Sequence, residues 1–184
     1  MTNSFYPVDI VLAPEWWHSE TGLTFDEDFY YHPLRRVEAE RRMEGILFDR
    51  WGRYGLGAAR DEERPEAGAV HLAAGFLLSE LLGCEVEYGE AHPPRVKPLG
   101  AEDLRLDGET IFAHPRFTVF DKLLDTLEER YGYLCGDVNW GGVLNIALDL
   151  RGETLFLDAL DTPGELDGFF DAIGTAITLA GPTA

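Results

Sequence analysis

Between Leu34 and Trp51, bulky residues recur at Val37, Met43, Ile46, Leu47 and Trp51, with Arg35, Arg36, Glu38, Glu40, Arg41, Arg42 and Glu44 between them. That spacing predicts an amphipathic helix with a salt-bridged outer face. Pro33 stands where a helix start tolerates proline, and Gly52, Gly55 and Gly57 close the segment. Leu72 to Leu82 has helical spacing and stops at Gly83, the expected C-terminal cap. Phe117, Phe120, Leu123, Leu124, Leu127 and Tyr131 mark another amphipathic helix. Gly141 to Leu150, ended by Gly152, and Pro163 towards Leu179 mark two more. Other segments read as strands. Pro7 to Leu12 is a β-prone run ended by Ala13-Pro14, a buried first strand. Cys84 to Tyr88 alternates, Gly89 to Pro94 turns the chain, and Arg95 to Leu99 returns as a hairpin arm. Tyr133 to Val138 is a second buried strand, and Thr154 to Leu160 separates the last two helices. Strands alternating with helices predict an α/β fold with parallel strands.

Composition changes this picture in one respect, the partners it excludes. Acidic residues outnumber basic ones by 34 to 15, for a formal charge of −19. A field of that sign repels phosphate backbones and anionic lipid surfaces, so neither nucleic acid nor membrane is expected as a partner. No secretory leader pattern opens the chain, and the most apolar stretch, Gly68 to Leu78, is too short to span a bilayer. Cys84 and Cys135 are far apart and form no CxxC motif, which fits two buried thiols in a reducing cytoplasm.

Three blocks carry a family resemblance. Glu80 to Tyr88, with Pro93-Pro94-Arg95-Val96 behind it, resembles the helix-to-hairpin stretch of the uroporphyrinogen decarboxylase superfamily. Gly141 to Gly152 is similar to the segment after a barrel strand in that superfamily, and Leu157-Asp158 to Asp161-Thr162-Pro163 is similar to the stretch before its next helix. The resemblance implies a partial TIM-type (β/α)8 barrel with a β-hairpin insertion, residues 1–184 being its N-terminal half. A complete barrel needs at least about 200 residues, so a truncation before closure is expected. The superfamily implies either cofactor-free decarboxylation of a tetrapyrrole or corrinoid-dependent methyl transfer. The zinc of the methyltransferases would require ligands from the half that is not here. Two departures stand against decarboxylation of uroporphyrinogen itself. The family's arginine-rich run corresponds to Pro14 to His18, without arginine, and its catalytic aspartate falls on Ala74.

Candidate chemistry gathers at two places. Glu15 and His18, past the first strand, could act as acid and base or ligate a metal, or could be ordinary loop residues. Trp16 and Trp17 could stack on a planar ligand or fill a core. Asp137 and Asn139, with Trp140 and two glycines, form the richest ligand-facing segment, although either could simply cap the next helix. Asn145 would face the same site or solvent. Glu15, His18 and Asp137 are thus the catalytic candidates; Trp16, Trp17, Asn139, Trp140 and Asn145 are the candidates for binding a tetrapyrrole or corrinoid. His71 and Cys135 read as structural, and His32, His92 and His114, placed in loops, as turn residues rather than ligands. The alternatives to an enzyme are a non-catalytic half-barrel, pairing as a homodimer or with a second subunit, and a module that binds a planar ligand.

Overall fold

The computed structural model describes residues 12–57, 75–100, 106, 111–131 and 138–180. Eight α-helices dominate them: α1 (Pro14–Thr21), α2 (Glu27–Tyr31), α3 (Pro33–Trp51), α4 (Gly75–Leu81), α5 (Pro115–Tyr131), α6 (Val143–Arg151), α7 (Thr154–Asp161) and α8 (Pro163–Ala180). A two-stranded antiparallel sheet, β1 (Glu85–Glu87) and β2 (Arg95–Lys97), lies between α4 and α5, with Val86 opposite Val96.

The expected partial (β/α)8 barrel, and with it the TIM-barrel architecture of a decarboxylase or methyltransferase, is not what forms. Among the described residues the only sheet is this antiparallel hairpin, whereas a barrel requires parallel strands alternating with helices. Two segments show why. Pro14 to Thr21, expected as a loop after a strand, is helix α1, with Pro14 in its first turn and Gly22 in the left-handed conformation at its end. Thr154 to Leu160, which the alternation needs as a strand, is helix α7. Short apolar runs do not distinguish a buried strand from a buried helix by pattern alone. The expected strand residues Pro7 to Val11 and Tyr133 to Asp137 lie outside the described residues.

The elements with strong local signals form as expected. Pro33 opens α3, and the His32 ring accepts a hydrogen bond from the Arg35 amide as its N-cap. Asp26 caps α2 by accepting from the Phe29 amide at 3.1 Å. Gly83 follows α4 at φ +103°, a conformation that only glycine adopts without strain, and releases the chain into β1. Gly57 ends the α3 region under a tighter constraint, since a Cβ there would lie 2.3 Å from the Glu44 carbonyl.

One hydrophobic core runs through all of these elements. Phe25, Phe29, Tyr30 and Phe76 form a chain of ring contacts, with centroids 4.8–5.1 Å apart between successive rings, and Tyr88 from the hairpin adds to it. In the C-terminal part, Leu166, Phe169, Ile173 and Ala176 supply the buried face of α8 against Ile146, Ala147 and Leu150 of α6. The repeat of three and four residues on α8 is the helical seam its sequence pattern implies.

Candidate docking surface

Among the described residues, the expected site residues fall into two groups, one on α1 and one leading into α6. Glu15 is exposed on α1, and its charge enters the interior only as a field opposing ionisation of Tyr30. His18 is held structurally, its Nδ1 lying 2.9 Å from the Leu23 carbonyl. Trp17 is buried, and Trp16 packs edge-on against it, near Trp51 and beneath the Arg50 guanidinium. Those contacts occupy the indole surfaces that a planar ligand would need.

Asn139 is exposed and accepts from the Gly141 amide at 3.0 Å, shaping the approach to α6. Trp140 packs against the core, and Asn145 is exposed on α6. Asp137, His71 and Cys135 lie outside the described residues. Among the described residues no hydrogen bond, ion pair or ring contact joins Glu15 or His18 to Asn139, Trp140 or Asn145. No group of three His, Cys, Asp or Glu side chains is placed to hold a metal ion among them either.

What the sequence pattern did not expose is the polar framework inside the fold. Arg36 and Glu40, expected on the outer charged face of α3, are 0% and 1% exposed and pair at 2.8 Å. They share the inward face with Met43 and Leu47, and the Arg36 guanidinium stacks over Phe29 at 4.5 Å. A second network joins α2, α4, the hairpin and α5. Arg116 donates to Glu80 at 2.9 Å and to Glu27 at 2.6 Å, Tyr88 donates to Glu80 at 2.9 Å, and Tyr31 and Tyr88 share a hydrogen bond at 3.0 Å. Burial is the main force pushing the Tyr31 and Tyr88 phenols above their ordinary range, and the Glu80 charge adds to it. Both stay protonated, as donors and acceptors that hold elements together.

A third polar junction ties α4 and the hairpin to α6. Ser79 donates to the Asp149 carboxylate at 2.6 Å, while the Cys84 thiol and the Leu99 amide both donate to the Asp149 carbonyl. Burial raises the Asp149 carboxyl above its usual range, and it pushes the Cys84 thiol up to about 11. A thiol in that state is a poor nucleophile.

The surface of α6, α7 and α8 is built differently. On α7, Phe156, Leu157 and Leu160 are 59%, 59% and 80% exposed, while Leu155 on the opposite side is buried. Residues 156, 157 and 160 lie on one side of a helix, so the exposed side chains form a stripe. Leu144 of α6 and Leu179 of α8 are also exposed. Between these two helices lies an open groove of about 720 Å³, lined by Val143, Phe170, Asp171, Gly174, Thr175, Thr178 and Leu179. Arg151 crosses the turn from α6 to α7 to hold Asp158 through two hydrogen bonds of 2.6 and 3.1 Å. That contact keeps the Asp158 carboxyl below its usual range.

Comparison with protein families, characterised proteins and solved structures finds no match to this chain. No helix among the described residues is long and apolar enough to cross a membrane.

Proposed function

We propose that this chain is a protein-docking module whose α6–α8 surface receives a partner. The observation that carries the reading is the exposed Phe156, Leu157 and Leu160 stripe on α7. Burying each such side chain is worth roughly 1.5–3 kcal/mol, so a stripe of three left in water favours a covering partner. A photo-crosslinking amino acid placed at position 157, with a matched one at the exposed Glu38 of α3, tests it in the source cells. A discrete adduct from position 157 and none from position 38 is the expected result. Equal labelling at both positions, or none at 157, rejects the reading.

One observation favours a second reading, that the chain contributes to an enzyme related to the uroporphyrinogen decarboxylase superfamily. Helix α4 passes through Gly83 directly into the β1–β2 hairpin, the junction that the Glu80 to Tyr88 block implies. Titration of tryptophan fluorescence with a porphyrin and with a corrinoid tests it. Saturable quenching by either supports a tetrapyrrole ligand, and an unsaturable response to both removes it.

A further inference from the structure

We propose that the groove between α6 and α8 takes the apolar face of a cationic amphipathic helix from a partner protein, an inference that rests on the docking reading above. The groove is open to solvent and extends along α8, with room for such an occupant. Phe170 to Leu179 runs along one flank of α8, a length of about 13 Å at the helical rise, and Val143 stands opposite on α6. That length matches anchors spaced at i, i+3, i+4 and i+7 on a docked helix. The volume of about 720 Å³ accommodates several large apolar side chains.

The groove has open space beside Gly174. A Cβ added at Gly174 would meet nothing within 4 Å, so no neighbour in the described chain requires glycine there.

Charge selects the kind of partner. From Val143 to Ala180 the acidic residues are Asp149, Glu153, Asp158, Asp161, Glu165, Asp167 and Asp171, and the single base, Arg151, is paired with Asp158. Asp171 lies in the groove lining itself, and Glu165 and Asp167 are exposed on the same helix. A second copy of this face would set acidic rim against acidic rim. A helix carrying Lys or Arg beside its apolar stripe meets the opposite field, which raises the encounter rate and penalises anionic competitors.

The test is fluorescence anisotropy with a labelled synthetic helix of leucine and lysine, the leucines at i, i+3, i+4 and i+7. Two controls accompany it: the same composition scrambled, and a version with glutamate in place of lysine. Saturable binding of the first peptide, at least tenfold tighter than either control, is expected. Gly174→Leu fills the groove with a side chain that the surrounding space admits, and it should weaken binding at least tenfold. Gly164→Leu, at another open helix position outside the groove, should leave binding unchanged. Asp171→Lys, on the exposed rim, should weaken it at least fivefold, and circular dichroism of each variant confirms the fold. Equal affinity for the glutamate peptide, with Gly174→Leu still disruptive, overturns the cationic partner while leaving docking intact. No binding, equal binding of the scrambled peptide, or no effect of Gly174→Leu overturns the groove as the site. The crosslinking at position 157 then decides separately whether the module reading survives.

Discussion

The half of the fold built from α2, α4, α5 and the hairpin and the half built from α6, α7 and α8 use their side chains in opposite ways. In the first, Glu80 and the phenols turn inward and meet partners, Arg116 with Glu80 and Tyr88 with Glu80 and Tyr31, while Glu27 holds Arg116 from the surface. In the second, large apolar groups turn outward, Leu160 at 80% exposure the most extreme among them. Buried polar groups that are satisfied fix one arrangement of helices. Apolar groups left in water hold free energy that only another surface can release. The first half is held together by paired polar groups, and on the docking reading the second half is where a partner would land.

The sharpest way to break the internal framework is at the Arg36–Glu40 pair that underlies it. Glu40→Leu removes the carboxylate 2.8 Å from a fully buried guanidinium and should destabilise the fold by about 3–5 kcal/mol, read from the urea midpoint. Glu40→Gln, which keeps an acceptor oxygen beside the guanidinium, should cost less than Glu40→Leu. Arg116→Met, at a partly exposed network, should cost less, about 1–3 kcal/mol.

Alkaline pH attacks the same half without mutation. Tyr30, Tyr31 and Tyr88 are held by burial above the value near 10 at which an unfolded tyrosine ionises. Above that pH the unfolded chain loses these protons while the folded chain keeps them, so stability is full below about pH 10 and falls as pH rises. Absorbance of phenolate should therefore show these tyrosines ionising together with unfolding. In Tyr88→Phe the alkaline midpoint should move upward relative to the neutral-pH stability of the same variant.

The docking half should respond weakly to changes in isolation. Gly168→Ala, at a helix position where a Cβ meets nothing within 4 Å, should stabilise by about 0.5–1 kcal/mol. Leu160→Lys should change stability by no more than about 0.5 kcal/mol. A loss above about 2 kcal/mol at Leu160 would place it in the core and remove the contrast between the halves.

The same contrast explains what could be read in the sequence. Helices α3, α5, α6 and α8 and the hairpin were legible because periodicity, proline, glycine and alternation act locally, as at Pro33, Gly83 and the Val86–Val96 pair. Helix α7 was not, because Phe156 and Leu157 carry the apolar run of a buried strand while standing in solvent on a helix. Arg36 and Glu40 resembled surface charges because each is followed by further charges. The signal that could have marked them is their four-residue separation on the face that continues to Met43 and Leu47. The network of Arg116 with Glu80 and Glu27 joins residues 36 and 89 positions apart, a pairing that one sequence does not display. Glu15 and His18 drew attention through residue type, yet the helix sends one to solvent and the other to the Leu23 carbonyl.

The Asp149 junction gives the molecule its own reporter. Its carbonyl sits near the end of α6 and accepts from the Leu99 amide, which belongs to the segment leaving the hairpin. A partner that tilts α6 stretches this bond, and one that clamps α6 protects it. Deuterium uptake at the single Leu99 amide would therefore record whether occupancy of the groove loosens or locks the helix it is bonded to.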